Sequence, residues 1–149
     1  MADPLSIIAS VVTLIQVSVQ VAVLIKEFRG EVSAMDATLS GLLSDVESLR
    51  RVLEAMEETF KQEEVKENLQ ITGHIGNHWK NLERSTKEGT TTLQELRGLL
   101  DNLNKTTSFL DGPRKQLRYK SAIDQISTFR GRIQSYHSAL QLSLNTVIL

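Results

Sequence analysis

The chain predicts an all-α fold, an antiparallel bundle of about four long helices whose N-terminal helix is apolar. Three features carry that expectation. Apolar residues recur at four-three spacing over most of the length. Only two prolines and eight glycines interrupt 149 residues. No segment alternates apolar and polar residues with the period of a strand. At 40% hydrophobic and 23% charged, the composition suits one domain, residues 1–149, with a core of its own. The absence of cysteine excludes disulfides and thiolate chemistry and fits a reducing compartment.

The first helix is expected over residues 4–28, with Asp3 as N-cap and Pro4 at the first helical position. Pro4 to Ile25 is a 22-residue run without a charge, and fifteen of these residues are Leu, Ile, Val or Ala. At about 1.5 Å per residue it spans roughly 33 Å, enough to cross a ~30 Å hydrocarbon core. Ser6, Ser10, Thr13, Gln16 and Gln20 share one stripe, and the remaining surface is apolar, including Ile8, Val12, Ile15, Val19 and Leu24. Such a helix is either a buried central helix or a membrane span. It does not read as a secretory signal, because no basic segment precedes it and no clear cleavage site follows. Lys26, Glu27 and Arg29 end the run, and Gly30 is the expected stop.

The second helix, over 33–62, is amphipathic. Met35, Leu39, Leu42, Val46, Leu49, Leu53, Met56 and Phe60 make one stripe, the seam of a bundle or coiled coil. Between Lys61 and Ile71 the pattern fades into charge and predicts a turn. The third helix, over 74–105, carries Ile75, Trp79, Leu82, Leu93, Leu96, Leu100 and Leu103. Thr86 and Gly89 interrupt its seam, and Thr90, Thr91 and Thr92 have poor helix propensity, so a kink or a close backbone approach is expected there. Asp111-Gly112-Pro113 signals a turn. The fourth helix, over 114–147, places Tyr119, Ile126, Ile133, Leu140 and Val147 seven apart, with Ile123 and Leu144 beside them. The spacing leaves open which helices touch.

Charge is unevenly distributed. Residues 31–70 carry ten acids and four bases, a net −6, whereas residues 113–149 carry six bases against Asp124 alone, a net +5. Segments of opposite charge usually pack side by side or face water. The rarer alternative is a basic stripe for anionic lipid or for the acidic surface of a partner. A net charge of −1 gives no overall pull toward nucleic acid.

Signals for chemistry are sparse. His74 and His78 stand four apart, a separation used for two metal ligands on a helix, but no convincing third ligand is near. His137 reads as a packed or half-exposed residue. Nucleotide-binding glycine motifs and the serine-hydrolase elbow are missing. Glu57, Glu58, Glu63 and Glu64 read as a solvated face and Trp79 as core. The chain is therefore expected not to be an enzyme and to hold no metal or cofactor. For the first helix, core burial is worth roughly 1.5–3 kcal/mol per large residue. Membrane insertion of its thirteen Leu, Ile and Val residues is worth at most about 4–8 kcal/mol. Neither environment wins by a wide margin, as a soluble-to-membrane switch requires.

The segments MADPLSIIASVVTLIQ, LLSDVESLRRVLEAME and RKQLRYKSAIDQISTFRGRIQSYHSALQLSLN resemble the N-terminal HeLo-like domain of fungal NLR-like (STAND) proteins, related to the HeLo cell-death domain of heterokaryon incompatibility. The resemblance covers nearly the whole chain. It is most specific in Met1 to Ile7 and in the final helix, while residues 61–112 match in character only. It implies a four-helix cell-death effector of innate-immunity type, non-enzymatic, whose N-terminal helix permeabilises the plasma membrane once copies assemble. The inserting element would be Leu5 to Ile25, with Leu5, Ile8, Val12, Ile15, Val19, Leu24 and Ile25 facing lipid. Arg114, Lys115, Arg118 and Lys120 are candidates for anionic lipid contact on charge alone. The implied partners are anionic membrane lipid, further copies of the chain, and a receptor nucleotide-binding domain absent from it. The implied location is cytoplasmic, moving to the plasma membrane on activation. The alternative is a signalling or oligomerisation module acting through protein contacts, its first helix always in the core. A third reading is a helical regulator in a secondary-metabolite cluster, since similar N-termini occur in such proteins, although no particular residue recommends it.

Overall fold

The computed structural model describes residues 4–28, 36–62, 76–107 and 112–148. Four helices account for them: α1 (Pro4–Phe28), α2 (Asp36–Lys61), α3 (Gly76–Thr107) and α4 (Gly112–Ile148). The expected bounds agree to within three residues, the usual scatter of helix ends. Pro113 falls in the first turn of α4, where its missing N–H breaks no intrahelical bond. Asp3, Gly30, Met35, His74, Ile75 and Asp111 lie outside the described residues, as do the side chains of Trp79, His78 and Val147.

The seams expected from spacing are the core. Leu39, Leu42, Val46, Leu49, Leu53, Met56 and Phe60 of α2 are buried, as are Leu82, Leu93, Leu96, Leu100 and Leu103 of α3. Tyr119, Ile126, Ile133, Leu140 and Leu144 of α4 face them. The threonine-rich middle of α3 stays helical because its hydroxyls bond back to the helix: Thr86 to Glu83 O at 2.8 Å, Thr90 to Thr86 O at 2.8 Å and Thr91 to Lys87 O at 3.1 Å. Thr92 instead reaches α4, its hydroxyl 3.1 Å from that of Tyr136. Gly89 provides the close approach. A Cβ placed there would lie 3.3 Å from Leu14 Cδ2 of α1.

Four pairs of helices pack extensively: α1 with α2, α1 with α3, α2 with α4, and α3 with α4. The bundle is thus a ring in the order α1–α2–α4–α3, with α2 and α3 on one diagonal. Directions follow from residues that share a level. The α1–α3 groove joins Ala9 and Thr13 to Lys87 and Thr91, and further along joins Val19 and Val23 to Arg97 and Asp101, so these helices run parallel. Between α3 and α4, Thr92 meets Tyr136 while Leu103 meets Arg118, so these run antiparallel.

The acidic α2 and basic α4 pack side by side, the commoner of the arrangements expected for opposite charge. Arg130 Nε donates to Asp45 Oδ2 at 2.8 Å, and Gln134 Nε2 donates to the same oxygen at 3.2 Å. The Arg130 guanidinium lies across Gly41, where any Cβ would come within 2.5 Å of its central carbon.

Candidate functional site

At 3.6 residues per turn, Ile7, Val11, Leu14, Val21 and Ile25 fall on one face of α1, and all five are 0% exposed. Thr13, Gln16, Val19, Gln20 and Val23 fall on the opposite face and are exposed. The first helix is therefore not a central core helix. It occupies a corner of the ring, because the Ser/Thr/Gln stripe is most stable turned to water. Ile7–Glu27 is nevertheless long and apolar enough to cross a membrane by length and composition. Its most apolar 18-residue window has a mean hydropathy of 2.3, and 39% of that window is buried.

The residues expected to face lipid divide among several environments. Ile25 is fully buried. Ile8, Ile15 and Leu24 are half-buried against the core, Val12 is half-buried, and Val19 is 40% exposed. The side chain of Leu5 lies outside the described residues. Ile8, Val12, Ile15 and Val19 share one flank of α1, the flank from which Lys26 reaches Glu47 of α2 at 3.7 Å. Val23, at 49%, is the most exposed large apolar residue on α1 among the described residues. Sequence reasoning passed over it, although it stands one turn beyond Val19.

Two polar ties of α1 to its neighbours are open to solvent on at least one side. They are Lys26–Glu47 and the bond from Arg97 Nη1 to Gln20 Oε1 at 2.7 Å. By contrast, the Asp45–Arg130 pair, with Asp45 only 15% exposed, braces α2 to α4, and Thr92–Tyr136 braces α3 to α4. Thr13 and Ser18 of α1 donate to carbonyls of their own helix, Ala9 O at 3.0 Å and Leu14 O at 2.8 Å. Ser18 is wholly buried.

The basic residues expected to contact lipid are not brought onto one face. Arg114 and Arg118 are exposed on the flank of α4 toward α3, Lys115 is half-buried, and Lys120 is exposed. Lys120 points about 160° away from Arg118 around the helix. Arg118 lines a groove of about 320 Å³ between α3 and α4 with Asn102, Ser121 and Gln125 above Leu103 and Ala122. Among the described residues no group of three or more His, Cys, Asp or Glu could hold a metal ion, and His137 is half-buried.

Fold and surface together define a class: among the described residues, a four-helix module with a membrane-length apolar helix at one corner. Within it the chain belongs to the family described as the pigment biosynthesis cluster protein PigL N-terminal domain, whose model matches residues 2–149. No curated protein and no solved structure matches. The family description is coarser than the HeLo-like resemblance and compatible with it.

Proposed function

We propose that this domain is a non-enzymatic membrane effector whose first helix leaves the bundle and enters a lipid bilayer once copies of the chain assemble. The observation that carries this reading is α1 itself. It is long and apolar enough to span a membrane, sits at a corner, and meets its neighbours through apolar packing and exposed polar ties. The deeper braces join α4 to α2 and α3 and survive its departure.

Magnitudes decide how such a helix must be triggered. Among the described residues six large α1 side chains are buried, Ile7, Val11, Leu14, Val17, Val21 and Ile25, and their burial is worth roughly 9–18 kcal/mol. Insertion returns at most about 4–8 kcal/mol, so an isolated copy stays closed. Departure of α1 also bares the faces of α2 and α3 that it covered. Equivalent faces of other copies are the natural partners for these, so self-association supplies the missing free energy. The finer reading, a fungal HeLo-like cell-death domain that permeabilises the plasma membrane from the cytoplasm, rests on the sequence resemblance.

Val19→Lys tests it. Val19 is exposed in the bundle, so the substitution leaves folding stability within about 1 kcal/mol. Near the centre of a span, however, a lysine costs about 2.5–3.5 kcal/mol. The expected outcome is that the clustered chain releases dye from anionic liposomes and that Val19→Lys, equally helical by circular dichroism, does not. Equal release by both would remove α1 as the inserting element. The family name favours a second reading, a protein-contact module of a pigment-cluster protein with α1 permanently in place. That reading expects no release from a folded, clustered chain.

A further inference from the structure

The groove between α3 and α4 has a chemical bias unrelated to its charge count. Its polar lining consists of Asn102, Arg118, Ser121 and Gln125. A guanidinium, two primary amides and a hydroxyl together offer a dense set of hydrogen-bond donors, and no carboxylate is among the described residues that line the groove. The nearby acids among the described residues are directed elsewhere. Asp101 lines the α1–α3 groove and pairs with Lys105 at 3.4 Å, and Asp124 lies about 100° around α4 from Gln125. The concavity exists because α4 presents the small residues Ser121 and Ala122 at this level, where nearer its C-terminus it presents Tyr136 to α3. Its volume, about 320 Å³, lies at the lower end of the roughly 300–1,000 Å³ typical of small-ligand clefts.

We infer that this groove is a binding site for a phosphate group. A phosphate offers several acceptor oxygens to the donors lining one groove, and a guanidinium fork engages two of them in parallel. Arg114 stands one turn before Arg118 on the same exposed flank. Leu103 and Ala122, 4% and 5% exposed, form an apolar floor that limits competing water. A phospholipid headgroup and a soluble phosphate ester share this chemistry. The site goes beyond the effector reading and stands whether or not α1 inserts.

The experiment has two arms. Inorganic phosphate and glycerol 3-phosphate are titrated into the intact chain by calorimetry. Its co-sedimentation with phosphatidylcholine vesicles is compared with and without phosphatidic acid. Saturable binding in either arm is expected; the soluble arm identifies a free ester as the source and the vesicle arm alone a headgroup. Arg118→Ala should weaken the interaction about tenfold or more, and Gln125→Ala should weaken it measurably. Arg118→Lys, which keeps the charge and loses the fork, should fall between Arg118→Ala and the unaltered chain. Lys120→Ala, the same charge change on the far flank, should alter binding less than about twofold at 0.15 M salt. Absence of binding in both arms would overturn the site. So would an unaltered Gln125→Ala, or a Lys120→Ala loss equal to that of Arg118→Ala, since either would mean diffuse charge attraction. These readouts do not involve Val19, so the phosphate site and the effector reading fail separately.

Discussion

Gly89 sits mid-helix in α3, where glycine costs about 1 kcal/mol relative to alanine. Its missing Cβ is what lets Leu14 of α1 come close. Gly89→Ala should change stability by less than about 1 kcal/mol, because the gain in propensity is set against a contact tightened by a few tenths of an ångström. Gly89→Leu should lose about 1–3 kcal/mol through overpacking, read as a lower urea midpoint at constant slope. An unchanged midpoint would mean that α1 and α3 do not meet there. The interruption was legible in the sequence, since Thr86 and Gly89 break a leucine seam. Its partner was not, because periodicity describes one helix at a time and Leu14 lies 75 positions away. The same blindness applies to Gly41, which reads as an indifferent glycine until Arg130 is seen lying across it.

Among the elements, α1 and α4 show how far pattern alone goes. The polar stripe of α1 was readable, and Thr13, Gln16 and Gln20 of it do face water, yet its meaning was misjudged. Five Ser, Thr and Gln residues on one face suffice to place an otherwise apolar helix at a corner rather than at the centre. On α4, counting charge put Arg114, Lys115, Arg118 and Lys120 together, whereas the turn of 100° per residue separates Lys120 from Arg118. The groove beside Arg118 was invisible, since it depends on what α3 places opposite. If α1 must leave, tying it down must silence the domain. The chain has no cysteine, so Gln20→Cys with Arg97→Cys introduces the sole thiol pair, at positions whose native side chains meet at 2.7 Å. A short reducible dithiol cross-linker between them is expected to abolish dye release, and reduction to restore it. Release unaffected by an intact cross-link would contradict departure of α1 from α3.

For the whole molecule, the unexpected feature is the ring order. α1 and α3 run parallel and α4 runs opposite to them, yet α2 and α3 occupy a diagonal instead of neighbouring corners. Hydrophobic period determines that each helix has an inner face and says little about who shares an edge. Charge was the better guide here, because the −6 and +5 segments foretell the α2–α4 edge. That edge makes stability sensitive to salt. Raising sodium chloride from 0.05 to 1 M shortens the screening length severalfold and should lower the melting temperature by about 2–4 °C, as a loss of about 1 kcal/mol does at this size. A higher melting temperature in salt would mean that repulsion within each segment outweighs attraction across the edge.

The Ser18 hydroxyl is buried yet bonded to a carbonyl of its own helix, and Thr13 is bonded in the same way. Both are self-contained. A buried polar group tied to another helix would strand a partner on leaving and would need a new one in hydrocarbon, where each orphan costs several kcal/mol. These hydroxyls carry their acceptors with them, so their hydrogen bonds are indifferent to whether α2 and α3 or acyl chains surround the helix.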